Sequence, residues 1–366
     1  MGMKLDKPIS KKQWRRLFAL SDQIQHLSPW EWMDENQIFG VKDDLAEELG
    51  FVSVMGSEGF HHAVTIYKGW GDLERFRLIQ EVEDAVIPEF ILETSQLTLS
   101  FEDRDQLSAS DYACIKHLGL SYRGRRAWPR FQAFRPGFFP WKLVNSWEAD
   151  HMITCLEQSI GVFMRAEDRP ELVRPRSDDA MFVRVHEGDA STGEWQDAHF
   201  DTPAPERMLT YFEVEKGRIE ATVAMPLSDR CVEIDYFVSR TPIGGRLERP
   251  KCAYVLLITD ANTGHVMGST VLDSSEGLEG ILGQIPGAAL DGFEEAGAVP
   301  YAMRVSRPVL TQILAPLEER LGVDVDLTPD LPMTTVVRAS LEEYLVSNKP
   351  SGQALLEFPR KAHPKA

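Results

Sequence analysis

Three groups of residues in this 366-residue chain have types and spacings that could do chemistry. The first is Asp260 with Asp273. Asp260 closes the apolar run "YVLLITD" and Asp273 closes "VMGSTVLD". Acids at strand ends can gather divalent cations for phosphoryl transfer. Within one hairpin, however, these two stand at opposite ends, 13 residues apart. "TDANTG" is also a sound turn, since Asp, Asn and Gly each suit one. The second group is "HFD", His199 to Asp201. Alternate residues of a strand share a face, so His199 and Asp201 could grip a divalent metal together. A third ligand would have to come from His151 or Glu148, if folding brings their helix near. His61 and His62 are neighbours on a strand start and point to opposite faces, which argues against a shared metal.

The third group is the run "YRGRRAWPRFQAFRPGFFPW", Tyr122 to Trp141. It holds five arginines (Arg123, Arg125, Arg126, Arg130 and Arg135), seven aromatics and no acid, in a chain of net charge −18. Proline fixes φ and glycine permits a sharp turn, so the run reads as a long ordered loop. Trp128, Phe131 and Trp141 could pin that loop by burial. The arginines then have two possible roles. They could be internal counter-charges for an acidic fold, or they could form, with Trp128, a surface for an anionic ligand.

Other chemistry is less visible. "PIGGRLERP" has paired glycines without a phosphate-loop lysine, and no G-x-S-x-G elbow occurs. The cysteines, Cys114, Cys155, Cys231 and Cys252, are scattered, as expected of reduced buried thiols rather than a zinc site.

The elements that must position these residues can be read from periodicity. Ser10 to Met33 reads as an amphipathic helix with Ser10 as its N-cap, which Pro29 ends or turns into a short following turn. "GFVSVMG" and "HHAVTIYKG" form a hairpin. "DLERFRLIQEVEDAV" is a helix, "QLTLSFED" a strand, and "SASDYACIKHLGL" a short helix ending at Gly119. Another helix starts near Ser146. The polar stretch Arg165 to Asp179 reads as a linker. Beyond it, "AMFVRVHEG", "RMLTYFEVEKGRIEATVAMPL" and "RCVEIDYFVSR" are strand-like, with "EKGR" as a hairpin turn. From Lys251 the order is hairpin, helix, strand, helix, strand, helix, an α/β layout. The expected division is an α+β unit over residues 1–165, an antiparallel β section over 166–250, an α/β unit over 251–348, and a tail over 349–366 that frays.

The net charge opposes a surface devoted to duplex nucleic acid, although a local basic patch stays possible. The amino-terminal segment lacks the apolar stretch of a secretory signal. The longest apolar run, "CAYVLLI", is too short to cross a bilayer. A cytoplasmic protein without a membrane partner is therefore expected.

The run "LGLSYRGRRAWPRFQAFRPGFFPW", together with "LSPWEWM" and "GFVSVMGSEGFHHAVTIYKG", resembles a family of uncharacterised bacterial proteins known only as domains of unknown function. The resemblance covers roughly the first 160 residues, and W-P-x-F and P-G-x-x-P-W are its most specific pieces. "PYAMRVSRPVL" and "LEERLGVDVDLTPDLP" look like the companion domain often joined to it. The resemblance implies no activity. Two functions follow as expectations. One is a non-catalytic binding or adaptor protein that takes a small anionic ligand or a partner protein on the arginine–aromatic run, with no cofactor. The other is a divergent nuclease-like or hydrolase-like enzyme. Its carboxy-terminal unit would resemble a ribonuclease-H-like fold and would use Asp260, and a divalent metal, for catalysis.

Overall fold

The computed structural model describes residues 7–43, 49–59, 61–81, 87–174, 180–188, 193–203, 216–245 and 248–347. It divides into two compact units. Of the described residues, those up to 135 and those within 140–203 form the first, and 136–139 with those within 216–347 form the second. Both are mixed α/β, with sheets that are mostly antiparallel.

In the first unit, α1 (Lys11–Leu27) begins where its sequence says it should. Ser10 accepts a hydrogen bond from the Gln13 backbone, and Gln13 reaches back to the Ser10 backbone. This reciprocal cap satisfies donors that the first helical turn leaves open. Its buried stripe, Leu17, Phe18, Leu20 and Ile24, packs in one core with α5 (Ser146–Asp168). Between them come β1 (Phe39–Lys42), β2 (Gly50–Met55), β3 (Ala63–Lys68), α2 (Gly69–Glu81), α3 (Ile87–Leu92), β4 (Gln96–Glu102), α4 (Ala109–His117), β5 (Trp128–Arg135) and β6 (Phe138–Lys142). β7 (Ala180–Glu187) and β8 (Glu194–Asp201) follow α5. The strand order is β5-β4-β3-β2-β1-β7-β8, with only the β1–β7 pair parallel.

β4 is buried along its whole length, and its two faces differ. Leu97, Leu99 and Phe101 join the α1–α5 core. Gln96, Thr98, Ser100 and Glu102 point the other way and are also buried. Buried polar atoms need partners. Accordingly Ser100 donates to Glu102 at 2.7 Å, and the Thr65 and Thr98 hydroxyls meet at 3.5 Å.

The second unit contains α6 (Lys216–Val223), β9 (Cys231–Ile243), β10 (Lys251–Asp260), β11 (Val266–Leu272), α7 (Gly277–Ala296), β12 (Ala302–Val305), α8 (Pro308–Leu321), β13 (Asp324–Leu327) and α9 (Pro332–Ser347). Its strands run β13-β12-β9-β10-β11. β9, β10 and β11 are antiparallel, whereas β12 and β13 lie parallel to β9.

Four expectations change. The arginine–aromatic run is a turn followed by two strands, β5 and β6, joined by a second turn at Gly137, whose φ of 87° suits glycine. The strand alternation was masked by Pro129, which faces the core beside Phe131 and Ala133 while Arg130 and Gln132 face away. "KGRI" opens the helix α6 rather than turning a hairpin. Arg218 ties that helix to Asp291 and to Glu294 of α7. Residues 207–215, also read as strand, lie outside the described residues. The expected linker begins inside α5, where Arg165 is held by Asp197 of β8 at 2.6 Å; its end, 175–179, is outside the described residues. Finally, the section 166–250 is shared out. β7 and β8 extend the first sheet, and β9 forms the centre of the second because both β10 and β12 pair with it.

Candidate functional site

The arginine-bearing run starts as a turn between α4 and β5. Gly124 has φ 113°, and Arg126 has φ 48°, a left-handed conformation that costs a non-glycine residue about 1–2 kcal/mol. Side chains hold it there. The Arg126 N–H donates to Asp103 Oδ1 at 2.7 Å, and its carbonyl accepts from Gln25 Nε2 at 2.9 Å. Its guanidinium donates to the Gly59 carbonyl and stands 3.4 Å from His62 Nε2. His62 in turn stacks on Trp30, with ring centroids 4.4 Å apart. Burial, then the Arg126 charge, then His61, lowers the His62 pKa from its ordinary value.

Next to this turn lies a cluster of rings. Trp128 meets Tyr112 and Tyr122 at 6.1 and 6.0 Å. Arg104 lies over the Tyr112 ring at 3.6 Å and over Trp128 at 5.6 Å. Guanidinium groups favour such ring faces. Trp128 and Trp141 are half-buried, so the run is pinned by Phe131, Phe134 and Phe139, which are buried, rather than by its tryptophans.

The five arginines separate into two kinds. Arg135 donates to Glu148 at 2.9 Å, and Arg130 sits 3.6 Å from Asp111. Glu148 is fully buried in the first turn of α5 and also takes Lys68 at 3.6 Å. Arg135 is thus a hydrogen-bonded counter-charge, whereas Arg130 is turned inward with only an ion contact, its buried Nε having no hydrogen-bond partner among the described residues. Arg125 is different: its side chain is 88% exposed, and its nearest carboxylate oxygen, on Asp103, is 3.9 Å away. Arg123 is exposed and makes no ion pair among the described residues. Arg126 falls between these kinds, half-buried and fixed through its backbone.

Beneath the cluster, Glu102 lies across from Trp128 and Ser100 across from Arg130. Burial lowers the His61 pKa; Glu102 opposes that shift and Arg130 adds to it. The residues missed by sequence reasoning are Arg104, Tyr112, Asp103 and Trp30. Trp30 is distant in sequence from the run, and Asp103, Arg104 and Tyr112 lie outside it on the preceding turn and helix. The usable signal was charge within "EDRDQ" directly after a strand, beside a helix carrying Tyr112.

The other candidates do not converge. Asp260 accepts hydrogen bonds from the Asn262 and Thr263 backbones and from the Thr263 hydroxyl at 2.8–3.0 Å, which makes it the organiser of its turn. Leu272 pairs with Tyr254, six residues back along β10 from Asp260. Asp273 is therefore about 20 Å away at roughly 3.3 Å per strand residue. No metal could touch both. Hydrogen bonds from Ser275 hold the Asp273 carboxyl below the usual range. His199 and Asp201 do share a face of β8, and both are exposed. His151 instead approaches Cys155 at 3.9 Å, and Glu148 is engaged by Arg135 and Lys68. Among the described residues, no group of three or more His, Cys, Asp or Glu side chains could hold a metal ion.

Comparison with known proteins adds kinship. No curated protein sequence matches the chain. A solved structure, the HTLV-2 integrase catalytic core domain in complex with magnesium, matches 35% of this chain and 79% of its own length at 14% identity, with a TM-score of 0.23. Residues 14–184 match the model of a domain of unknown function, DUF7309, and residues 219–342 match that of another, DUF6930. The chain thus carries in tandem two regions that match domains of unknown function.

Proposed function

We propose that this is a binding protein whose first unit takes an anionic, phosphate- or carboxylate-bearing ligand on the Arg123–Arg126 turn. The observation that carries this reading is the strained turn itself. Arg126 is forced into a left-handed conformation and pinned by Asp103 and Gln25, and the turn leaves Arg123 and Arg125 projecting without close internal partners. Backbone strain that the surroundings maintain tends to mark sites of function. Trp128, Tyr112 and Arg104 provide a flat wall beside it. Guanidinium forks bind phosphate or carboxylate with paired, charge-assisted hydrogen bonds. The net charge of −18 repels long polyanions, which favours a small ligand or a short acidic segment over a duplex.

The second unit we read as ribonuclease-H-like. Support for this comes from its strand order, three antiparallel strands followed by two parallel ones on the far side of the first. Its strand β9 carries two acids. Asp235 bonds Arg307 at 3.0 Å, and Glu233 accepts from the Thr334 backbone at the start of α9. Both acids thus hold packing together, so the binding reading stands ahead of a metal-dependent one.

The test is a binding panel with the full chain: phosphorylated metabolites, acidic peptides and short single strands. One class should bind, with affinity that weakens as salt rises. Replacing Arg123 and Arg125 together by alanine should weaken it at least tenfold. No binding to any class would reject the proposal.

A further inference from the structure

Among the described residues, the edge strands β8, β11 and β13 are not equally protected. An open edge exposes a row of N–H and C=O groups that pair readily with another strand, and charges or proline usually guard it. β8 carries Glu194, Asp197 and Asp201 along its length, and β13 carries Asp324 and Asp326. β11 reads VMGSTVL, with neither a charge nor a proline. Among the described residues it pairs with β10 alone. Ser269, Thr270 and Val271 are exposed, Val271 at 58%.

Alongside this edge runs a groove of about 500 Å3, lined by Leu256, Ile258, Gly268 and Thr270 on the sheet side and by Asp291, Glu294 and Glu295 on α7. Gly268 and Gly292 let strand and helix approach closely. A Cβ added at Gly268 would lie 3.4 Å from the Gly292 Cα. Arg218 partly neutralises Asp291 and Glu294, whereas Glu295 is exposed.

We infer that β11 is a docking edge for an extended segment of a partner protein in which basic and apolar residues alternate. Such a segment would add a strand about 4.8 Å beyond β11, with main-chain hydrogen bonds giving affinity and alternate side chains giving selectivity. The register sets which side meets what. Thr270 pairs with Leu256, which faces the groove, and Val271 pairs with Val255, which packs towards Val337 and Leu341 of α9. Side chains of the added strand on the α7 side therefore stand beside Asp291, Glu294 and Glu295, where Lys or Arg fits. Those on the other side continue the row from Val271, where Val or Ile fits. This site is separate from the arginine turn, and neither depends on the other.

The experiment measures fluorescence anisotropy of a labelled nine-residue peptide of alternating Lys and Val against the full chain, with an alternating Glu and Val peptide as control. Wild type should bind the first and not the second, with amide exchange slowed at residues 269–271. Val271→Lys places a guarding charge on the edge, and Glu295→Lys reverses the wall. Both positions are exposed, so each variant should keep the wild-type Tm and bind the Lys–Val peptide at least tenfold more weakly. No binding by wild type, equal binding of the Glu–Val peptide, or unchanged affinity in both variants would overturn the inference. Two other outcomes would also overturn it by naming a different occupant. Concentration-dependent dimerisation that Val271→Lys abolishes would assign the edge to a second copy. Peptide binding that appears only after removal of residues 348–366 would assign it to the chain's own tail.

Discussion

Arg125 and Arg135 stand ten residues apart in one run, yet they do opposite things. Arg135 leans into the first turn of α5 and meets a carboxylate with no exposed surface. Arg125 sits at the crown of a turn, almost fully exposed, with a carboxylate only at 3.9 Å. The difference comes from the backbone each occupies. A strand residue inherits a fixed face and a fixed neighbour across the ladder. A turn residue inherits neither, and its side chain is free to meet a ligand. Within one run, therefore, Arg135 neutralises a buried carboxylate while Arg123 and Arg125 lie exposed.

Removing Glu148 should break this contrast most severely. Glu148→Ala strands Lys68 and Arg135 without their shared carboxylate, and breaking a buried ion pair costs about 3–5 kcal/mol. Urea denaturation of the variant measures it, and a loss under about 1 kcal/mol would show that the node is not needed. Trp128→Ala should cost less, about 1–3 kcal/mol, because the ring is half-buried and full burial is what gives the larger losses. The same denaturation experiment would place it between Glu148→Ala and the displayed arginines. Arg125→Ala should change stability by well under about 1 kcal/mol, as exposed pairs contribute little. A larger loss would mean that the turn is structural.

The smallest effect is one of pH. His62 has a lowered pKa in the folded chain, from burial first and Arg126 next. Unfolded, it takes its proton near the ordinary value of about 6.5. Below that pH the unfolded state binds more protons than the folded one, so the His62 contribution lowers stability as pH falls, until the folded group is also protonated. NMR titration of the ring should show a midpoint below the ordinary value, moving upward in Arg126→Ala. An unchanged midpoint in that variant would separate His62 from the turn.

Much of the scaffold could be read from residues alone. Ser10 announces the start of α1, and the alternation in "GFVSVMG" and "AVTIYK" fixes β2 and β3. Ser108 and Ser110 both suit a cap for α4, of which the structure uses Ser108, and Gly119, at φ 76°, follows the helix end. Local signals mislead where they conflict with distant partners. Pro129 and Arg130 disguise β5, whose pairing with β4 is decided by Phe131 and Ala133 reaching the core. The lysine and glycine opening α6 suggest a turn, and only the acids of α7 explain the helix. The central place of β9 depends on a parallel pairing with β12 some 70 residues later, which no local pattern encodes. For the candidate site, the arginines were visible but their division was not, because Asp111 and Glu148 lie on helices either side of the run.

The division between displayed and internal arginines is open to one direct measurement. Isothermal titration with the anion that the proposed function expects the panel to find would compare wild type, the Arg123→Ala/Arg125→Ala double variant and Arg130→Ala under one salt condition. The displayed pair should account for at least a tenfold loss of affinity, while Arg130→Ala stays within about twofold of wild type if its charge is satisfied by Asp111. Equal losses in both variants, or a loss confined to Arg130→Ala, would contradict the separation of displayed from internal arginines.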